Sequence, residues 1–227
     1  VKSDVSKFMR RLRKRLWKEH DQAVRFYACG EYGDKWGRPH LHVCLFGWDF
    51  PDKQHTNTTE RGHKLMESEE LGKVWTKGAH QIGELTFESA AYVARYVMKK
   101  INGEKKDEHY AVTWKVDKET GEVTPHQSLE PEFNTMSRRP GIGQSFFEKH
   151  KDTIYRDDGV IVNERMTPPP KYYDRLYEVI DPRHMEEIKE KREQRADRHK
   201  ENNSDKRLKV RKRLLDLRSK QLARDLG

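Results

Sequence analysis

The sequence predicts an α+β protein in which helices flank an antiparallel hairpin, and three observations predict it. Apolar residues at helical spacing open the chain, two strand-like runs joined by a turn follow, and an Ala-rich helical segment begins after residue 86. The most informative stretch lies in the second strand-like run, Pro39-His40-Leu41-His42-Val43-Cys44-Leu45-Phe46. Side chains two apart on a strand point the same way, so both imidazoles take one face while Leu41, Val43 and Leu45 take the other and can enter a core.

Taken in order, Ser3 or Asp4 can cap a first helix whose apolar positions are Val5, Phe8, Met9, Leu12 and Leu16. Arg10, Arg11, Arg13, Lys14, Arg15 and Lys18 surround them, and this basic face suits either solvent or DNA. Residues 24 to 31 read as a strand, Tyr32 to Arg38 as a turn with Gly and Asp, and 39 to 46 as the histidine strand, together an antiparallel hairpin. Phe50 to Gly62 shows no period of either kind and is expected to be a mobile polar loop. A short helix around 66 to 76 carries Met66, Leu71, Val74 and Trp75, with a strand near 79 to 86 and a helix from Phe87 to Ile101. After a charged loop over 102 to 109, strands at 110 to 116 and 122 to 125 form a hairpin through Lys118-Glu119-Thr120-Gly121. Ser137 to Gly143 is a rigid basic loop opening into a helix over about 144 to 154, and a short hairpin is expected around Asp157-Asp158-Gly159. Pro168-Pro169-Pro170 reads as a linker and Lys171 to Val179 as a helix. From 182 to 226 the chain is dense in charge and poor in apolar residues, which predicts a long, partly frayed helix or disordered tail. Leu208, Leu215 and Leu222 are seven apart, a weak coiled-coil signal.

A chain of 227 residues accommodates one sizeable domain with an appendage. The formal charge of +9 and a charged fraction of 37% favour a polyanionic partner, of which nucleic acid is the commonest, although a merely well-solvated surface carries similar charge. Cys29 and Cys44, the two cysteines, lie in apolar runs and read as buried free thiols suited to a reducing cytoplasm. No apolar segment approaches the roughly 20 residues that span a bilayer, so a soluble intracellular protein is expected.

Within the hairpin, Arg25, Tyr27, Cys29 and Glu31 share one face of the first strand. If Glu31 lies opposite His40 or His42, the three side chains share a face, and a two-residue slip preserves that parity. Two imidazoles and a carboxylate suit a divalent ion, Mg²⁺ or Mn²⁺ where a substrate brings phosphate oxygens, with zinc chemically possible. The same spacing also occurs on an ordinary polar sheet face. His55, His63, His80, His109 and His126 fall in loops or strand ends and read as surface residues.

On the helix from Phe87, a 100° step gathers Ala90, Ala91, Ala94, Val97, Met98 and Ile101 around Phe87 as a core stripe. Tyr92, Tyr96, Lys99 and Lys100 fall on the opposite face. Tyrosine is more often a packing residue, but two phenols one turn apart beside two ammonium groups offer a nucleophile for phosphoryl transfer. A phenol with pKa of about 10 needs a neighbouring cation or base to react at neutral pH, and Lys99 and Lys100 are the candidates. A metal at Glu31, His40 and His42 would polarise the phosphate and stabilise the departing 3′ oxygen, leaving a phosphotyrosine and a free 3′-hydroxyl. Arg38, Arg95, Lys100, Arg138 and Arg139 are candidate DNA contacts.

Gly37-Arg38-Pro39-His40-Leu41-His42 followed by Tyr92-Val93-Ala94-Arg95-Tyr96-Val97-Met98-Lys99-Lys100 resembles the HUH superfamily of rolling-circle replication initiators. More narrowly, the chain resembles the initiators of microviruses of the gokushovirus type, to which Gly30-Glu31-Tyr32-Gly33 and Ser137 to Gly143 are also similar; the likeness spans roughly residues 3 to 180. The resemblance implies a central antiparallel sheet flanked by helices, related to RNA-recognition folds. It implies a nicking and joining endonuclease in which one tyrosine cleaves the origin strand and keeps the 5′ phosphate, the 3′ end primes synthesis, and the second tyrosine joins in strand transfer. His40 and His42 match the histidine motif, Tyr92 and Tyr96 the nucleophile motif, and Lys99 a motif lysine; Glu31 as third ligand rests on the hairpin geometry and on related initiators. The implied partners are single-stranded origin DNA and a host helicase or polymerase in the cytoplasm of a bacterial host. The implied organisation is an endonuclease domain over 1–167, a Pro-rich linker and short helix over 168–181, and a charged tail over 182–227. The family's N-terminal Leu-Thr-Tyr strand motif has no counterpart, because the sequence starts at Val1 almost on the first helix, and an exposed sheet edge is the expected consequence. A plasmid relaxase or transposase of the same superfamily, and a non-catalytic module in which Tyr27, Tyr92 and Tyr96 stack bases, are the competing readings.

Overall fold

An amphipathic helix and a β-hairpin account for most of the architecture around the histidines. The computed structural model describes residues 2–33, 37–60, 62–95, 110–117, 119–127 and 130–221. They divide into two units, Val1–Ile142 and Gly143–Gly227.

In the first unit, α1 (Lys2–His20) buries Val5, Phe8, Met9, Leu12 and Leu16, the five positions that helical spacing selects. Strands β1 (Arg25–Tyr32) and β2 (Pro39–Phe46) pair antiparallel without a break, from Arg25 opposite Phe46 to Tyr32 opposite Pro39. Phe26 and Ala28, with the half-buried Leu41, Val43 and Leu45, join the α1 side chains in one apolar core. One face of the hairpin is thereby committed to the core, and the other is left for Tyr27, Cys29, Glu31, His40 and His42.

The polar stretch expected to be a loop instead forms a hairpin of β3 (Gln54–Thr58) and β4 (Lys64–Glu67). Every residue of β3 is exposed, so no hydrophobic alternation could betray it. The helix expected over 66–76 contracts to α2 (Glu69–Val74), because Met66 is spent in β4 and Ser68 caps the helix by accepting a hydrogen bond from the Leu71 backbone N–H. Of the strand expected near 79–86, a single bridge between Ile82 and Met66 is present among the described residues.

Helix α3 (Phe87–Arg95) packs on β1 and β2, with its faces turned from the expected arrangement. Phe87, Ala91 and Ala94 are exposed, whereas Tyr92 and Val93 are half-buried. The sheet face beneath α3 is polar, so the phenol side of the helix meets it and the alanines, which lose little by exposure, face outward. The expected continuation through Tyr96, Val97, Met98, Lys99, Lys100 and Ile101 lies outside the described residues.

Strands β5 (Thr113–Val116) and β6 (Val123–Gln127) form the expected hairpin, turning through Gly121 at φ +71°. Strand β7 (Phe133–Met136), which no periodicity announced, pairs antiparallel with β1 and gives a three-stranded sheet of order β2-β1-β7. Gly30 makes this pairing possible: it lies opposite Phe133, and a Cβ there would collide with the Phe133 ring. The half-buried Phe133 is packed against the α1 core.

The second unit contains α4 (Gln144–Asp157), β8 (Val160–Val162), β9 (Arg165–Thr167), α5 (Lys171–Ile180), α6 (Pro182–Asp197), a 3₁₀ turn over Lys200–Asn203 and α7 (Asp205–Gln221). The hairpin turns at Asn163 and Glu164, both at positive φ, rather than around Asp158, whose own positive φ caps α4. Phe147, Ile154, Tyr155, Tyr173, Tyr177, Met185 and Ile188 share one core. Residues 144–167 therefore pack with the segments after the proline triplet, and Pro170 stands at the N-cap of α5 instead of in a spacer between units. Arg192 of α6 binds Asp158 and Asp174, at 2.7 and 2.9 Å, tying α6 to the end of α4 and to α5. Among the described residues, no helix is long and apolar enough to cross a membrane.

Candidate active site

The polar face of the β1–β2 hairpin brings a carboxylate, an imidazole and a phenol together. Glu31 lies directly opposite His40 and Cys29 directly opposite His42, so all four side chains leave the same face. The buried Glu31 carboxylate, 6% exposed, has Oε1 3.0 Å from His42 Nε2. Helix α3 covers this face: Cys29 Sγ donates to the Val93 carbonyl at 3.5 Å, and the Tyr92 ring stands edge-on to the His42 imidazole, centroids 6.4 Å apart at 77°. One helical turn thus carries the phenol to the histidine face.

The donor set can be tested against a divalent ion. Ligands at about 2.1 Å in adjacent positions of an octahedral ion lie about 3.0 Å apart, the spacing that Glu31 Oε1 and His42 Nε2 show. Hard carboxylate oxygen with imidazole nitrogen is a fit for Mg²⁺ or Mn²⁺. Of the three expected ligands, these two are brought together and the third stands aside. His40 is exposed at the end of the hairpin, its imidazole against Gly33, where a Cβ would meet Cε1 at 2.6 Å. Among the described residues, no group of three His, Cys, Asp or Glu side chains is gathered for a metal.

Around this face, burial pushes the Tyr27 phenol above its ordinary range against the opposing effect of a hydrogen bond with Asn134, and burial raises the Cys44 thiol. Asn134 of β7 escaped the sequence reading because no strand was recognised there. Arg38, Arg138 and Arg139 are exposed, as a phosphate contact requires, and Arg95 ends α3. Tyr96, Lys99 and Lys100 lie outside the described residues.

Ser137, at the start of the basic loop, has a structural role that sequence did not signal. Its buried hydroxyl accepts from the Phe26 backbone N–H and from Arg13, both at 3.1 Å, and its own N–H donates to the Phe26 carbonyl at 2.9 Å. The loop is thereby anchored to β1 and α1, and closes on itself through the bridge between Arg138 and Gly141.

Residues 1–101 match the model of the replication-associated protein ORF2 family. The chain is 33% identical over 206 residues to the replication-associated protein ORF2 of Spiroplasma virus 4, covering 87% of this chain and 58% of that protein. It is 33% identical over 185 residues to the replication-associated protein VP4 of Bdellovibrio phage phiMH2K, covering 79% and 52% respectively. It is 36% identical over 103 residues to the replication-associated protein ORF4 of Chlamydia phage 1, covering 41% and 24%. The chain thus spans about half the length of the first two relatives. No solved structure matches it. The matched segment ends at the tyrosine helix and contains Glu31, His40, His42 and Tyr92, so the N-terminal 101 residues of this chain belong to the replication-associated protein ORF2 family of phage replication initiators.

Proposed function

We propose that this protein is a metal-dependent endonuclease of the HUH type that nicks and joins single-stranded DNA at a phage rolling-circle origin, in the cytoplasm of its bacterial host. The observation that carries the reading is the Tyr92 ring beside the His42–Glu31 pair on one sheet face. A base-stacking module has no need of a buried carboxylate held against an imidazole next to its aromatic ring. The phage relatives, each named replication-associated, favour replication initiation over plasmid transfer or transposition.

In this reading the Tyr92 oxygen attacks the phosphorus as its phenol loses a proton. A P–O(Tyr) bond forms, the P–O3′ bond breaks, and the electron pair leaves with the 3′ oxygen, which is protonated to the free hydroxyl. The 5′ phosphate stays on the tyrosine, and Tyr96 and Lys99 keep the strand-transfer and activating roles that the motif implies. Mg²⁺ or Mn²⁺ at Glu31 and His42, with His40 as the third donor, would supply Lewis acidity to a non-bridging phosphate oxygen and to the departing 3′ oxygen. Glu31 orients the His42 ring, and α3 holds Tyr92 over the same face.

The test is incubation with origin-containing single-stranded DNA and Mn²⁺, followed by a denaturing gel. A protein–DNA adduct that disappears in a Tyr92→Phe/Tyr96→Phe double variant supports the proposal. No adduct with the intact chain, or an undiminished one in the double variant, refutes it.

A further inference from the structure

On the side of the first unit where α1 gives way to β1, Arg13, Trp17, Gln22, Ala23, Val24 and Arg25 line a slot of about 180 Å³. Trp17 is 70% exposed, so one of the largest apolar side chains of the protein presents its ring to solvent. Trp17 follows Arg13 by four residues, which puts the indole and the guanidinium on one helix face, a turn apart.

Arg13 is fixed before any ligand arrives. Its guanidinium donates to Ser137 Oγ at 3.1 Å and to the Val24 carbonyl at 3.4 Å, and its Cζ lies 5.4 Å from the centroid of the Phe26 ring. The second cation, Arg25, faces it across the slot, and among the described residues neither is paired with a carboxylate. Partial burial and the like charge of Arg25 both lower the Arg13 pKa, so an anion entering the slot relieves a repulsion already present in the fold. A flat exposed indole beside two uncompensated guanidinium groups suits a ligand with both a π-face and a negative charge.

We propose that this slot is a nucleotide subsite for single-stranded DNA, in which a base stacks on Trp17 while its phosphate lies against Arg25 and Arg13. The inference rests on the single-stranded DNA reading given above. Charge selects the occupant: the chain carries a formal +9, and the same α1 surface bears Arg10, Lys14 and Lys18. Arg25 stands on the same strand face as Tyr27, Cys29 and Glu31, at the opposite end from the carboxylate. A strand lying along that face therefore runs from the tyrosine site past Arg25 and around the sheet end to Trp17.

The experiment measures binding of fluorescent (dT)₂₀ and of an abasic deoxyribose-phosphate strand of equal length to the whole chain, by anisotropy across a salt series. Trp17→Ala is expected to weaken (dT)₂₀ binding about tenfold and to leave abasic binding unchanged, with Trp17→Phe restoring most of the loss. Arg25→Gln is expected to lower the magnitude of the log–log salt slope by about 0.7, one phosphate contact on a single strand. Wild-type affinity for (dT)₂₀ in Trp17→Ala, or equal loss for both strands, overturns the subsite while leaving the endonuclease reading intact. Failure of the wild-type chain to bind (dT)₂₀ or to form the tyrosine adduct overturns that reading, and the subsite with it. A change in sedimentation of Trp17→Ala assigns the face to a second copy of the chain and overturns the subsite as well.

Discussion

His42 Nε2 meets Glu31 Oε1 at 3.0 Å across a diagonal of the β1–β2 hairpin, since the residue directly opposite Glu31 is His40. Diagonal neighbours on one face are within reach of long side chains, and Glu31 uses its length to meet the inner histidine. The pairing buries the carboxylate under α3 and leaves His40 to the open end of the hairpin. Glu31→Gln keeps the shape and a hydrogen-bonding oxygen but removes the negative charge. Mn²⁺ affinity, followed by electron paramagnetic resonance or calorimetry, is expected to fall at least about tenfold while the helical circular dichroism stays unchanged. Unchanged Mn²⁺ binding would remove Glu31 from the ligand set.

Tyr92→Phe tests the phenol apart from the ring. The ring keeps its edge-on place beside His42, so the variant is expected to change stability by about 1 kcal/mol or less. Its rate of adduct formation is expected to fall at least about a hundredfold, with Tyr96 the source of any remainder. Rates equal to wild type would assign the first cleavage elsewhere.

The parity of this site was legible in the sequence because a strand has a period of two: once residues 24–31 and 39–46 read as a hairpin, Glu31, His40 and His42 had to share a face. The strand β7 was not legible. Phe133 to Met136 has four residues, with Phe133 and Thr135 half-buried and Asn134 and Met136 exposed, too short a segment to establish a period. The turned face of α3 has a related cause. Helical phase groups Phe87 with the alanines, but phase alone does not say whether the surface awaiting the helix is apolar, and here that surface carries Cys29, Glu31 and His42. The second unit misled for another reason: its core is built from Tyr155, Tyr173 and Tyr177, whose hydroxyls find Asp174, the Gly143 carbonyl and His184, so a segment that counts as polar still packs as a core.

Two glycines at the hairpin separate folding from function. A Cβ at Gly30 strikes the Phe133 ring, which is packed against the α1 core, so Gly30→Ala is expected to cost about 1–3 kcal/mol in urea denaturation. A Cβ at Gly33 strikes the exposed His40 ring, which can swing away. Gly33→Ala is expected to leave the unfolding midpoint nearly unchanged and to alter Mn²⁺ affinity, since it moves the third donor. A Gly33→Ala variant with wild-type Mn²⁺ affinity would take His40 out of the ligand set.

Ser137→Ala removes the acceptor shared by the Phe26 N–H and Arg13. The buried N–H keeps no side-chain partner from residue 137, and the expected loss is about 1–3 kcal/mol, seen as a drop of several degrees in the melting temperature. Because Arg13 loses the contact that fixes it beside Trp17, single-stranded DNA affinity is expected to fall as well, even under conditions where the variant is fully folded.

The second unit carries its own pH dependence. Burial raises the phenols of Tyr155, Tyr173 and Tyr177, and Tyr155 is raised further because it donates to Asp174 at 3.0 Å and its anion would face that carboxylate. A phenol whose folded pKa lies above its unfolded value contributes stability that is complete below about pH 10 and is lost as pH rises further, because the unfolded chain then releases protons that the folded one holds. The second unit is therefore expected to open cooperatively above about pH 10, with phenolate absorbance rising as helical circular dichroism falls. Tyr155→Phe lowers stability at neutral pH by about 1 kcal/mol through the lost hydrogen bond, and makes the alkaline transition shallower by removing one of the coupled protons. Gradual titration of the phenols near pH 10 with helicity intact would show that these side chains ionise without unfolding, contrary to a core built on their hydroxyls.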